Sequence, residues 1–316
     1  MNLNWLDAFL LQGLFQVVMV IGLALLLHLQ MGLVRIANFG VVGFWGLGAY
    51  AFAVLFVGID WPIGEPWPFL ISMAFGAIVA GLAGLLVGWL IADLETEGVL
   101  VGTLGFATSV WILAVTEQGL TGGALGMGGL KFPFDIGKTK ANELLWFGIL
   151  FAVVSLIFFY VSRIHRSPYG RLLISVGDNE PLAGSLGKPA FRTKLWLFAV
   201  GSAGMGLLGA IYGGMAPMLI PESIGINVTL AAMVGLVLGG SARVWGAIIG
   251  VILTVGLFEI VVQSYLPLPR SWYTQAIPVL REMVFGGTLV VVLIIKPSGI
   301  LDDMRRDKLL RRMHGE

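Results

Sequence analysis

The chain has 316 residues, 58% hydrophobic and only 12% charged, with a formal net charge of +1. Soluble domains carry about a quarter charged residues, and a mean hydropathy of +0.94 means more apolar surface than one water-solvated core can hide, which excludes a soluble globular fold. The lack of cysteine excludes disulfides, thiolate metal sites and cysteine nucleophiles. The three histidines (His28, His165, His314) have no ligand spacing, so no metal and no cofactor are expected.

A crossing needs about 20 apolar residues. In chain order the expected spans are 8–28, 33–57, 69–92, 98–117, 144–162, 194–214, 243–262 and 275–296, with a short Gly-rich stretch at 226–241 that suits a half-helix or re-entrant segment. Met1–Asp7 lacks basic residues and the run from Phe9 to Leu27 is long enough to span, so no cleaved leader is expected. Residues 58–68 hold Pro62, Pro66 and Pro68 beside Trp61 and Trp67, and 263–274 again mix Pro with Tyr and Trp; both suit interfacial loops.

Basic residues set the orientation. Arg163, Arg166, Arg171, Lys188, Arg192 and Lys194 crowd into 163–194, and Lys296, Arg305, Arg306, Lys308, Arg311 and Arg312 into 296–312. Both segments are expected in the cytoplasm. Counting back places 118–143 outside, 93–97 inside, 58–68 outside, 29–32 inside and the N-terminus outside. Three full spans separate the two basic segments, so parity requires 226–241 to supply a fourth crossing. The expected fold class is an all-α integral membrane protein, a polytopic bundle of 8–10 transmembrane helices. It forms one domain over 1–316, with a polar connection at 163–194 and a cytoplasmic tail at 297–316.

No catalytic constellation is present: there is no GxxxxGK[ST] loop, no HExxH and no GxSxG. Glu259 is the clearest intramembrane acid, with Glu117 near a span end. One such group is thin provision for an ion-coupled carrier, so the driving force is expected from another subunit. Within 163–194, residues 178–187 read as a short amphipathic helix: Asp178 or Asn179 is the N-cap, Pro181 falls in the first turn, and Gly187 marks the stop. The residues alone allow either a partner-docking knob or a solvated loop whose bases fix topology.

Glu180, Ala183 and Gly187 resemble the E-A-A-x-x-x-G coupling loop of ABC importer permeases. The ordered set Asn38-Phe39-Gly40, Thr103-Leu104-Gly105-Phe106-Ala107, Leu120-Thr121-Gly122-Gly123, Pro168-Tyr169-Gly170-Arg171, Leu238-Gly239-Gly240 and Lys296-Pro297-Ser298-Gly299 is similar to the second permease of branched-chain amino acid importers, with urea importer permeases as close relatives. Two departures stand out. Pro181 and Leu182 follow Glu180 where the family has two small residues, and Ala124-Leu125-Gly126 replaces Pro-Asn-Gly. The resemblance implies a bacterial inner-membrane permease that pairs with a second permease, a different or an identical chain. It also implies two cytoplasmic ATP-binding subunits, a periplasmic substrate-binding protein, membrane lipid, and no nucleic acid. Asp178, Asn179, Glu180, Ala183 and Gly187 would couple to the ATPases, and this chain would make no bonds itself. The cargo would be branched-chain or other hydrophobic amino acids, with urea or short amides as the alternative. An ATP-independent carrier or channel is the alternative from another class.

Polar residues within the spans are the pathway candidates: Gln30, Arg35 and Asn38 around the start of the second span, where Asn38 and Gly40 suit a helix break, then Thr103, Thr108, Ser109 and Glu259. Gly102, Gly105 and Thr108 are spaced to admit another helix, and the glycines of 201–214 suit either close packing or a sliding helix. For Thr103, Thr108 and Ser109 ordinary helix packing is the favoured reading over a pathway role. Arg35 is close enough to the cytoplasmic end to snorkel.

Overall fold

The computed structural model describes residues 4–62, 64, 66–92, 94–128 and 139–256, with scattered positions between 279 and 294 and Gly299. Glu259, the tail and most of the expected span 275–296 lie outside the described residues.

Helix α1 runs Asn4–Leu27 and continues as a π-helix over His28–Leu33. It is followed by α2 (Val41–Gly58), α3 (Trp67–Ile91) and α4 (Thr96–Thr116). After a Gly-rich cap come α5 (Thr139–Arg166), α6 (Pro168–Asp178), α7 (Glu180–Ser185), α8 (Ala190–Met215), α9 (Ile226–Gly239) and α10 (Val244–Val251). Among the described residues, seven helices are long and apolar enough to cross a membrane, and a shorter apolar helix covers Val244–Gly256. The protein is therefore a polytopic all-α membrane bundle. The short stretch expected at 226–241 reaches spanning length because a 3₁₀ turn at Pro221–Ile224 leads into α9, giving 19 residues over Pro221–Gly239.

Two expectations are corrected. The span placed at 33–57 starts only at Val41, because residues 34–40 leave the helix. The connection 163–194 holds two helices rather than one, since Ser167 caps α6 by accepting from the Gly170 N–H at 3.1 Å, with Pro168 in its first turn.

The core centres on α8, against which α1, α2 and α3 pack. Small residues set the spacing, as membrane helices require when no hydrophobic effect separates lipid from protein contacts. A Cβ on Gly209 would lie 1.8 Å from the Trp45 carbonyl oxygen, and one on Gly48 would lie 2.2 Å from that of Gly206. The outward faces of α3, α4 and α5 are apolar and exposed, for example Leu82, Val101 and Phe159, as surfaces bathed by lipid or covered by another subunit would be. A Cβ on Gly102 would lie 3.2 Å from the Ile91 side chain at the end of α3, whereas Gly105 meets nothing within 4 Å, so among the described residues no helix closes on the Gly105 part of the expected stripe.

The Gly-rich cap is a tight turn rather than a flexible loop. Gly122, Gly123 and Gly126 all have positive φ, which other residues adopt at a cost. This turn aims β1 (Met127–Gly128) at β2 (Met218–Leu219), with Met127 opposite Leu219 in an antiparallel pair.

Gly209→Leu drives a side chain into the Trp45 carbonyl, and overpacking of this kind typically costs about 1–3 kcal/mol or more. The expected result is a lower unfolding temperature of the detergent-purified chain, with Gly105→Ala unchanged. Equal stability of the two variants would contradict the packing described.

Candidate functional site

Residues 34–40 break the α1–α2 connection, and their polar groups must find partners inside the protein. The Asn38 amide donates to Gln30 Oε1 at 2.7 Å, and the Gln30 amide donates to the Phe198 carbonyl at 3.1 Å. The Gly40 N–H donates to Asn38 Oδ1 (2.7 Å), the Phe39 N–H to Thr103 Oγ1 (3.1 Å) and the Val42 N–H to Thr229 Oγ1 (3.0 Å). Gln30, Asn38, Thr103 and Thr229 are each fully buried. Phe198 lies eight residues into α8 and Thr103 seven into α4, on the order of 10–12 Å from those helix ends at the α-helical rise. The brace therefore lies inside the bundle and ties α1, α2, α4, α8 and α9 to one irregular segment.

At the basic end of the bundle, α7 is closed at both termini. Asn179, not Asp178, is the N-cap, accepting from the Leu182 N–H at 3.0 Å. At the other end the Lys188 N–H reaches the Ala183 carbonyl and the Gly187 N–H that of Gly184, with Gly187 at φ 75°, a Schellman stop. Ala183 is buried while Leu182 and Leu186 are 56% and 70% exposed. Two ion pairs hold this helix to the bundle: Glu180 with Lys194 in the first turns of α8, and Asp178 with Arg35 at 2.5 Å. Arg35 has φ 59°, a left-handed conformation for a non-glycine. Beside it, the Cα face of Gly177 fits so closely that a Cβ there would lie 2.7 Å from the Leu33 carbonyl oxygen. A small cleft of about 90 Å³ lies between the two tethers, with Arg35 and Lys194 both in its wall.

A larger cavity of about 570 Å³ opens between α1, α2, the last turns of α8 and the start of α9. Its polar lining includes Gln12, Gln16, Tyr212, Glu222, Ser223 and Asn227, with Trp45 beside them. Tyr212 is 22 residues along α8 from Ala190, about 33 Å at the α-helical rise, which puts this cavity at the opposite end from α7.

The structure thus brings Gln30, Asn38 and Thr103 together as one buried brace and joins Arg35 to the α7 segment. It leaves Thr108 and Ser109 exposed on α4, where their hydroxyls donate to Leu104 and Gly105 carbonyls of their own helix. Glu259 lies outside the described residues. Sequence reasoning missed the cavity, whose members come from four separate segments. It also missed the Arg35–Asp178 link, although the opposite charges and the nearby glycines were in plain view.

The profile of the family described as branched-chain amino acid transport system / permease component matches residues 9–293. The high-affinity branched-chain amino acid transport system permease protein LivM of Escherichia coli (strain K12) is 26% identical, over 88% of this chain and 67% of the relative. The probable branched-chain amino acid transport permease protein LivM of Methanocaldococcus jannaschii is 22% identical, over 72% of this chain and 67% of the relative. The autoinducer 2 import system permease protein LsrC of Salmonella typhimurium is 24% identical, over 70% and 62%. No solved structure matches.

Asn38→Ala deletes two buried hydrogen bonds and strands the Gln30 oxygen and the Gly40 N–H, at about 1–3 kcal/mol for each buried group left unmade. Thermal unfolding of the purified chain is expected to show a clear loss for Asn38→Ala and for Thr103→Val. Thr108→Val and Ser109→Ala are expected to match the parent. An unshifted Asn38→Ala variant would refute the brace.

Proposed function

The chain belongs to the branched-chain amino acid transport permease family, and on that premise we propose that it is one permease subunit of an ATP-driven importer of branched-chain or other hydrophobic amino acids. The whole chain acts as one permease domain in the bacterial inner membrane. It forms half of the pathway with a second permease, two ATP-binding subunits dock at the basic end, and a substrate-binding protein delivers cargo at the opposite end. The basic residues around α6 and α7 support the cytoplasmic placement of that end.

The observation that carries this reading is the exposed, doubly capped helix α7 (Glu180–Ser185), tethered by Glu180 to Lys194. Leu182 and Leu186 project from a charged connection and offer a docking partner two large apolar side chains. ATP-driven closure moves α7, and the two tethers carry that movement in different directions. Lys194 passes it to the base of α8. Asp178 passes it through Arg35 to residues 34–40, where the Phe39 N–H is bonded to Thr103 of α4, and on to the first turn of α2, where the Val42 N–H is bonded to Thr229 of α9. The chain holds the path and relays force; chemical work is done by the partners.

Magnitudes assign Arg35 its role. A half-exposed ion pair contributes about 0.2–1 kcal/mol, while a left-handed non-glycine costs about 1–3 kcal/mol. The pair does not offset the strain, so Arg35 is kept for position rather than stability. Arg35→Asp and Asp178→Arg are each expected to leave the assembled complex folded and hydrolysing ATP but with leucine uptake into proteoliposomes cut about tenfold, equivalent to about 1.4 kcal/mol of lost coupling. The double exchange is expected to restore uptake, and no rescue would remove the strut from the mechanism.

The reading itself is tested by purification with the ATP-binding subunits. Glu180→Trp and Gly187→Trp are expected to lose those subunits while inserting normally, and a reporter fused at residue 130 is expected outside and one at 180 inside. ATP-independent uptake by this chain alone in liposomes would instead establish a self-sufficient carrier, and uptake of urea in place of leucine would reassign the cargo.

A further inference from the structure

The cavity at the end remote from α7 closes before it reaches the basic end. In α1 its lining stops at Val20 and in α9 at Ala231; beyond them Leu23, Leu27, Ala232 and Leu236 are fully buried. At the basic end the His28 Nδ1–H joins α1 to the α9–α10 turn by donating to the Ser241 carbonyl at 2.8 Å. His28 lies 16 residues past Gln12 and Ser241 lies 14 past Asn227, about 24 and 21 Å further in at the α-helical rise. The backbones touch there. A Cβ on Gly32 would lie 2.4 Å from the Ser241 carbonyl oxygen, and the chain leaves α9 through Gly240 at φ 100°, a conformation that favours glycine.

This junction is poised in a way that plain packing does not require. His28 opens the π-helical segment His28–Leu33, a rare backbone form found frequently at functional sites. Its ring is fully buried, yet Nε2 has no hydrogen-bond partner among the described residues. With Nδ1 carrying the proton, Nε2 is an acceptor whose lost hydration nothing replaces while the junction is shut. Against the same ring lies His165, with centroids 5.5 Å apart, in the last turn of α5; two residues on, Ser167 caps α6, which leads to α7. The neighbouring brace is built differently. Gln30 and Asn38 each use both ends of their amides. One hydrogen bond contributes less, net, than a buried group left unmade costs, so the His28–Ser241 join is weaker than the brace beside it.

We propose that the His28–Ser241 junction is the inner gate of the transport path, shut in this structure while the cavity at the other end stands open. The gate presupposes the importer reading, which supplies the path; what it adds is the seam that parts. The brace keeps α1 with α4 and α8, the α9–α10 turn withdraws from the π-helix, and water reaches His28 Nε2. His28 is thus a positioning residue that holds Ser241, and it does not meet the cargo.

The chain has no cysteine, so one introduced thiol reports one place. Ser241→Cys leaves the main-chain carbonyl where it is, Ser223→Cys reports on the outer cavity, and Asp60→Cys, at an exposed position, is the control. Assembled complexes in nanodiscs are labelled with a water-soluble methanethiosulfonate, either nucleotide-free or with ATP trapped by vanadate, and the rate is read on this chain. Between the two states the labelling of Ser241→Cys is expected to change at least about tenfold, equivalent to about 1.4 kcal/mol. Ser223→Cys is expected to change in the opposite sense and Asp60→Cys to stay constant. Added to Ser241→Cys, His28→Leu is expected to keep that thiol reactive in both states and to raise the ATP hydrolysed per leucine imported. His28→Asn, which supplies a side-chain N–H donor again, is expected to bring both readings back toward the parent. The Ser241→Cys series stands without any change at His28, so a His28→Leu chain that fails to assemble does not remove the test. A change in the same sense at Ser241→Cys and Ser223→Cys, or parental labelling and coupling in His28→Leu, overturns the gate. Constant Ser241→Cys labelling in a complex that still imports leucine overturns the gate alone. Alternating labelling in a complex that imports no leucine leaves the gate standing and removes the leucine-importer reading.

Discussion

Everything in this molecule answers to the rule that a backbone polar group removed from water must be paired within the protein. Helices obey it automatically, which is why most of the described chain is helix. The segment between α1 and α2 does not: Thr103 and Asn38 accept from its Phe39 and Gly40 N–H groups, and Thr229 accepts from the Val42 N–H in the first turn of α2, three buried side chains in all. Each of those side chains comes from a different part of the chain. The irregular segment can therefore exist only where α2, α4 and α9 converge, and that convergence fixes the interior of the bundle.

The same segment ends in Arg35, and through it the interior is joined to the basic end. The join is short. Asp178 is the last residue of α6, and Asn179 next to it caps α7, so one turn of backbone separates the exposed knob from a side chain that touches the broken connection. Lys194 makes the parallel link to α8, the helix around which α1, α2 and α3 are packed. The two ion pairs thus connect the segment around α7 both to α8 and to the irregular connection.

The spanning helices, the break near Asn38 and Gly40, and the short helix with its Gly187 stop were legible in the sequence, because length, hydropathy and capping chemistry are local signals. The start of the second span was misplaced by eight residues because an apolar run does not reveal where hydrogen bonds leave the ladder; only Thr103 and Thr229, 65 and 191 residues beyond Asn38, make that departure affordable. Ser167 and Pro168 carried a cap signal for α6 that was masked by the dense basic residues around it. The cavity was illegible for a different reason. Gln12, Trp45, Tyr212 and Glu222 belong to no motif and meet only through tertiary packing, whereas Thr108 and Ser109, conspicuous as polar residues in an apolar run, are satisfied by their own helix.

The two-residue pair between Met127–Gly128 and Met218–Leu219 has a consequence for the cavity mouth. Met218 lies both in that pair and in the cavity wall, and β1 follows directly on the glycine turn at the end of α4. The rim is thereby stitched to a helix that faces away from the cavity. With only a couple of main-chain hydrogen bonds in the stitch, tilting α4 either drags the rim along or unzips it. The breadth of the entrance then depends on whatever surrounds the outer face of α4, be it neighbouring chain or bilayer.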